Sequence, residues 1–337
     1  MITDTTQTYV DLSIVVPVKD EETSIQAFID EVVPVCDAMN ISYELLFVND
    51  GSQDRTQSIL EEARQNLDCV TLVKLSRNFG KEFALSAGID FCSGRAAIPM
   101  DVDLQDPTEL IPLLYKKHLE GFDTVVALRR NRDGDTRSKR LMARLFHFTF
   151  SKMSEIDTYN GAGDFRIISR RVIDQLRQMP ERTRFMKGLL SWPGFSTSSV
   201  SYDRPQRASG STKWSFTKLW RLALDGLFSF STLPLKIWTY IGSFVALSAV
   251  IYMFFTVVKT LVLGVDVPGY ASLLSFVLLL GGVNLMGIGI LGEYLGRVFI
   301  EVKGRPIYIV EESLPARVLD TVDETKQTPS AIQKKSK

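Results

Sequence analysis

From residue 11 to about residue 128, short apolar runs alternate with stretches in which apolar residues recur at helical spacing. Leu12–Val16 reads as a buried strand stopped by Pro17, and Glu44–Val48, Val70–Leu75, Ala96–Met100 and Asp123–Leu128 read as four more. Runs this short and this uniformly apolar suit strands covered on both faces. The intervening segments, Glu22–Met39, Gln53–Gln65, Glu82–Cys92 and Pro107–Leu119, carry helical periodicity. Strands alternating with helices predict βαβ units and a mostly parallel sheet, an α/β fold. Ligands of such sheets bind beyond the carboxyl ends of the strands. Three acidic clusters fall there: Asp20-Glu21-Glu22, Asn49-Asp50 and Asp101/Asp103.

Charge disappears late in the chain. Ile237–Val258 is 22 residues without a charged side chain, and Val267–Gly292 is 26 more. About 20 apolar residues suffice for a helix to cross the hydrocarbon core. The link near Lys259–Tyr270 is short and holds Gly264, Pro268 and Gly269, so the two runs predict a transmembrane helical hairpin. Lys213, Lys218, Arg221 and Lys236 precede it, Arg297, Lys303 and Arg305 follow it, and the turn offers only Lys259. The bias of basic residues toward the cytoplasmic side then places both termini and the large N-terminal part in the cytoplasm, on a multi-pass protein of the inner (plasma) membrane. Gly281-Gly282, Gly287, Gly289 and Gly292 allow close helix approach, within the hairpin or in a homo-oligomer. Lys213–Ser231 interleaves Trp214, Phe216, Leu219, Trp220, Leu222 and Leu227 with charges and reads as an amphipathic helix at the bilayer surface. The expected organisation is therefore a catalytic domain over 1–210, a juxtamembrane amphipathic segment over 211–232 and two spans within 233–298 (about 235–260 and 268–296). A cytoplasmic segment over 299–337 follows, with a disordered end.

Composition changes this picture little. Lys and Arg number 39 against 39 Asp and Glu, so no global excess argues for nucleic acid or an acidic partner. Cys36, Cys69 and Cys92 have neither C-x-x-C nor metal-ligand spacing, which suits small buried hydrophobes in a reducing compartment. Met1–Asp11 lacks the apolar core of a secretory signal. With only His118 and His147, a histidine-based mechanism has little material.

The local charges carry more. Asp101 and Asp103 are two apart on an extended segment and share a face, where they repel unless a cation sits between them. Their hard oxygens suit Mg²⁺ or Mn²⁺ held together with substrate phosphates; a solvated acidic turn capping the helix at Pro107 is the plainer reading. Asp50 suits either a base or ribose contact or an Asx turn. Arg129–Arg144 carries seven cations, Arg129, Arg130, Arg132, Arg137, Lys139, Arg140 and Arg144, at the same sheet edge. Such forks bind phosphate oxygens, which favours a phosphate role over a solvated face, at least for Arg129. Arg204–Lys213 is a basic, Gly- and Ser-containing loop suited to closing over phosphates.

The segments VVPVKDEE (15–22), VNDGSQDRT (48–56), LSRNFGKEFALSAGID (75–90), MDVDLQDPTEL (100–110) and RASGSTKW (207–214) resemble family 2 glycosyltransferases of the GT-A fold, a Rossmann-like α/β architecture. The resemblance runs over about residues 10–310 and points to the polyisoprenyl-phosphate sugar transferases, among them bactoprenol (undecaprenyl-phosphate) glucosyltransferases, similar to dolichol-phosphate mannose synthases. It implies transfer of a hexose, glucose first, from a UDP-sugar to undecaprenyl phosphate in one inverting displacement, with Mg²⁺ or Mn²⁺. GDP-mannose or a UDP-aminosugar remains an alternative donor, and a non-catalytic nucleotide-sugar sensor is the alternative of another class. The resemblance places Pro17, Lys19, Glu21, Val48, Asp50 and Lys81 in the nucleotide pocket, although members often carry an aromatic residue where Lys19 stands. It places Asp101, Val102, Asp103 and Gln105 at the metal and diphosphate, with Asp101 and Asp103 as metal ligands. Arg207 and Lys213 fall on a closing loop, and Arg129, Arg137, Lys139 and Arg140 at the lipid phosphate. Asp157 lies before and Asp164 within the acceptor-side NGAGDFR stretch; Asp157, with Asp103, is the catalytic candidate.

Overall fold

The computed structural model describes residues 9–129, 162–179, 181–182, 184, 186–202, 233–263 and 269–317. They divide into two units. The first takes the described residues up to 202 together with 306–317; the second takes 233–263 and 269–305.

The first unit is one sheet with helices on both faces. Its strands are β1 (Val10–Val18), β2 (Tyr43–Asn49), β3 (Val70–Leu75), β4 (Gly94–Pro99), β5 (Thr124–Arg129), β6 (Ala162–Ser169), β7 (Thr197–Tyr202) and β8 (Val310–Leu314). Its helices are α1 (Ile25–Ala38), α2 (Thr56–Asn66), α3 (Lys81–Phe91), α4 (Leu110–Leu119), α5 (Arg170–Gln178) and the single turn α6 (Met186–Leu189). The strand order is β7-β5-β6-β4-β1-β2-β3-β8. Strands β4, β1, β2 and β3 run parallel, while β6 and β8 run antiparallel to their neighbours. Every residue of β2 is buried, as an apolar run between two helical layers requires. On one face Phe28, Ile29, Val32, Leu60, Ile111 and Leu114 from α1, α2 and α4 pack on Ile14, Phe47 and Ile98.

The five strands and four helices expected from the pattern are present, with shifted ends. Pro17 does not stop β1 but pairs with Val48 inside it. The carbonyl of Val15 accepts from Met100 N on the β4 side, and the β4 register ends at Val15. Two residues on, the nitrogen of Pro17 faces that same side, where no ladder acceptor waits for an N–H. Strands β6, β7 and β8 were not foreseen. The pattern of β7, Thr-Ser-Ser-Val-Ser-Tyr, is too polar to read as a strand.

A buried carboxylate ties the lower half of this sheet together. Glu44 is fully buried in β2 and accepts from Ser13 Oγ at 2.5 Å, Thr71 Oγ1 at 2.8 Å and Ser93 N at 2.5 Å. Thr71 Oγ1 in turn accepts from Ala316 N at 3.0 Å, just beyond β8. The segment after the second unit is thus held by the β8 ladder, by this network and by Tyr308, whose hydroxyl donates to Asp90 at 2.7 Å.

The second unit holds α7 (Leu233–Leu263) and α8 (Tyr270–Lys303), of 31 and 34 residues. At 1.5 Å per residue each exceeds about 45 Å, longer than the roughly 30 Å hydrocarbon core. Within α8, the stretch Leu279–Lys303 contains an 18-residue window with a mean hydropathy of 1.3 that is almost wholly uncovered by protein; Ile237–Tyr252 is a shorter apolar stretch of α7. The two helices meet where Trp238 lies against Gly287, and a Cβ at Gly287 would fall within the indole. Gly287→Leu should therefore force the indole aside and cost about 1–3 kcal/mol by overpacking. The expected result is a lower apparent melting temperature of the detergent-solubilised chain; an unchanged value would mean that this contact does not hold the pair.

Candidate active site

The site gathers at the carboxyl ends of β1, β2, β3 and β4. Strand order reverses between β1 and β4, so the chain folds away on either side and leaves a crevice there. Three loops converge on it and are stitched to one another. Asp20 N donates to Ser52 Oγ at 3.0 Å, and Gln53 N returns a bond to Asp20 Oδ1 at 2.8 Å. Glu21 N donates to Thr56 Oγ1 at 2.9 Å and Glu22 N to Asp54 Oδ2 at 3.2 Å. Asp50 then accepts from the backbone of the third loop, Phe79 N at 2.7 Å and Gly80 N at 2.8 Å. Gly51 follows with φ +65°, and a Cβ there would lie 2.5 Å from the backbone of Arg77 and Asn78. Only glycine permits both that conformation and that approach. Two other site positions hold non-glycine residues at positive φ, Asp20 at 53° and Leu104 at 53°. Backbone strain of this kind persists where surrounding bonds over-determine it.

The acidic centre lies beyond β4. Lys81, the first residue of α3, reaches across to Asp101 at 2.6 and 2.8 Å and to Asp164 Oδ2 at 3.4 Å. Burial alone would lower the Lys81 ammonium; the charges of Asp101 and Asp164 and their hydrogen bonds outweigh it and raise the pKa above the ordinary lysine value. Asp101 is raised chiefly by burial, against the opposing pull of Lys81 and with the further push of Asp164 and Asp103. Asp103 is exposed and, among the described residues, bonds to Gln105, through its backbone N at 3.2 Å and its side-chain amide. Asp164 comes from β6, two residues from the fully buried Arg166, whose pKa burial lowers to about 10 despite Asp164.

The expected site residues divide into four groups. Lys19, Glu21, Asp50, Lys81, Asp101, Asp103 and Gln105 stand on the converging loops, with Pro17 beneath them in β1. Val48 and Val102 are buried and support the loops from below. Arg129 ends β5. Asp157, Arg137, Lys139, Arg140, Arg207 and Lys213, with the amphipathic Lys213–Ser231, lie outside the described residues. Two roles were not read from sequence. Asp50 clamps the 79–80 backbone, a long-range bond that no local spacing reports. Arg166 lies beside the acidic centre, and its signal was present in GDFR, where residues two apart share a strand face.

The donor set suits a hard divalent cation. Asp164 Oδ1 is buried without a hydrogen-bond partner among the described residues, so acceptor capacity remains in the crevice. Among the described residues no three His, Cys, Asp or Glu side chains form a ready cage.

A Rossmann-like, mostly parallel sheet with carboxylates at its switch point, followed by two long apolar helices, defines a GT-A transferase fold with a C-terminal hairpin. Family comparison agrees: residues 13–177 match the model of glycosyl transferase family 2, and residues 233–298 match the GtrB C-terminal hairpin. The chain is 48% identical over 302 residues to the bactoprenol glucosyl transferase of Shigella phage SfII, covering 90% of this chain and 98% of that one. It is 50% identical over 303 residues to an uncharacterized glycosyltransferase, sll0501, of Synechocystis sp., covering 90% and 95%. Among solved structures, the glucosyl-3-phosphoglycerate synthase from Mycobacterium tuberculosis in complex with Mn²⁺, UDP-glucose and phosphoglyceric acid is a distant likeness, 20% identical with a TM-score of 0.43 over 65% of this chain and 78% of that one. The chain belongs to glycosyl transferase family 2, in its bactoprenol glucosyl transferase branch, and is a glycosyltransferase.

Proposed function

We propose that this enzyme transfers glucose from UDP-glucose to undecaprenyl phosphate, with inversion, and so makes a lipid-linked glucose. The observation that carries the reading is the Asp101/Asp103 pair at the switch-point crevice of a chain 48% identical, over 90% of its length, to a bactoprenol glucosyl transferase. The acceptor phosphate monoester has its second pKa near ~6 and is largely ionised at neutral pH, so no strong general base is required. Asp157 or Asp164 would orient the acceptor phosphate or a sugar hydroxyl. Asp101 and Asp103, with Gln105, would hold Mg²⁺ or Mn²⁺ with the donor diphosphate. The ion would supply charge neutralisation for the departing nucleoside diphosphate. Lys81 would turn from Asp101 toward that diphosphate, and Arg129, Arg137, Lys139 and Arg140 would receive the lipid phosphate, with Arg207 and Lys213 on the closing loop.

The return of β8 to the catalytic sheet supports a two-crossing anchor. A strand paired with β3 lies on the same side of the bilayer as β3, so an even number of crossings separates β7 from β8. Helices α7 and α8 provide two. Both ends of the hairpin then lie on the catalytic, cytoplasmic side, in agreement with the basic residues that flank it.

A donor screen tests the reading. Purified chain, undecaprenyl phosphate and Mg²⁺ or Mn²⁺ are combined with UDP-glucose, UDP-N-acetylglucosamine or GDP-mannose, and lipid-linked sugar is measured. Turnover with UDP-glucose is expected to exceed the others by at least about tenfold, the discrimination that one or two site hydrogen bonds supply. Preference for another donor would overturn the sugar assignment, and donor binding without turnover would mark a sensor.

A further inference from the structure

A cleft of about 380 Å³ opens beside the crevice, between the ends of β2 and β3. Lys19, Ser52, Gln53, Lys74 and Arg77 line it, and so does Glu311, which enters the fold only after both long helices. Glu311 is there because of a break in the ladder. Val73 pairs with Ser313 and Lys74 with Glu312, but Leu75 pairs with Val310, so Glu311 is the extra residue of a bulge. Bulges re-aim side chains. Here the bulged carboxylate meets Lys74 Nζ at 2.9 Å, while Ser76 N closes the turn onto Ile309 O at 2.9 Å.

Three cations face this cleft, and two already have an anion or a ring. Lys19 bonds to Asp20, and the Arg77 guanidinium lies 4.2 Å over the Phe79 ring. Lys74 has Glu311, the one carboxylate among the described lining residues. With both lysines ion-paired and the guanidinium held over a ring, the wall of the cleft suits a neutral polar group that accepts hydrogen bonds and stacks. Strands lie about 4.8 Å apart, so a cleft between β2 and β3 is on the order of 10 Å from the end of β4. That is the span from a diphosphate at Asp101 and Asp103 to the nucleoside it carries.

We infer that Glu311 is a donor-positioning residue: the strand that follows the membrane hairpin reaches back into the catalytic unit and holds Lys74 at the wall of the subsite for the nucleoside of the donor. The inference rests on the nucleotide-sugar reading of the crevice. It makes donor binding depend on a segment remote from every family 2 motif in the sequence.

The test uses the full chain in nanodiscs, with UDP affinity measured by calorimetry and KM measured for donor and for lipid. Glu311→Ala and Lys74→Met are each expected to raise the UDP Kd and the donor KM by about fivefold, the upper end for a half-exposed ion pair. The double variant should be no worse than either single one, because the two residues act as one unit. Glu311→Asp should recover part of the loss, and kcat and the lipid KM should stay within about twofold in all of them. Tyr308→Phe loosens the same segment at Asp90, away from the cleft, and should leave the UDP Kd unchanged. An unchanged Kd in Glu311→Ala, or an equal loss in Tyr308→Phe, overturns the inference and leaves the donor reading standing. Failure of the unmodified chain to bind UDP overturns both.

Discussion

Asp103→Ala is expected to reduce formation of lipid-linked glucose by about a hundred- to a thousandfold, the scale on which enzymes lose rate when charge stabilisation at the reacting centre is removed. The side chain is exposed and, among the described residues, bonds to its near neighbour Gln105, so its loss should change folding stability by no more than about 0.5 kcal/mol. An unchanged melting curve beside absent turnover would locate the defect in chemistry. The physical reason is the charge that develops on the departing diphosphate. Asp101 already shares its carboxylate with Lys81, which leaves Asp103 as the unshared anionic donor at the end of β4. Chelation of divalent ions from the unmodified chain should mimic the substitution and be reversed by Mg²⁺ or Mn²⁺. Near-normal turnover in Asp103→Ala would remove the metal role from this residue.

The second large effect falls far from the chemistry. Glu44→Ala should lower the unfolding free energy by about 3 kcal/mol or more, since it strands Ser13 Oγ, Thr71 Oγ1 and the Ser93 amide in a dry interior. For a unit of this size that is a fall of roughly 6–12 °C in apparent melting temperature. The pH dependence has a definite sign. Burial raises the Glu44 pKa, and the bonds from Ser13, Ser93 and Thr71 only partly oppose it. A carboxyl raised on folding contributes stability that is complete below its unfolded pKa and is lost as pH rises through the folded one. The gap between Glu44→Ala and the unmodified chain should therefore narrow as pH rises above about 4.5. A gap that widened with pH would mean that Glu44 is held as a stabilised anion.

Much of this site was legible in the residues alone. DVDLQDP, VNDGS and VPVKDEE sit where apolar runs end, and a run that ends in a parallel sheet ends at the ligand edge. Asp101, Asp103 and Asp50 could be placed for that reason. Their partners could not. Lys81 and Asp101 are 20 residues apart, and Asp50 and Gly80 are 30 apart. A bond across that separation leaves no periodicity in the sequence. The same holds for β8, where Val-Glu-Glu-Ser-Leu carries too much charge to read as a strand. It becomes one because the edge of β3 offers unpaired backbone groups, which the returning segment satisfies.

By itself the sequence determined the α/β class, the two long apolar segments, the acidic strand ends and the family. Each is written in local order, through side-chain period, run length or motif. The tertiary structure alone decided that Asp50 is a clamp, that Lys81 bridges two carboxylates and that the chain beyond the C-terminal hairpin adds β8 to the edge of the sheet. Those outcomes depend on which edges and loops meet in space. Backbone hydrogen bonds and buried charges settle that only once the whole sheet has formed.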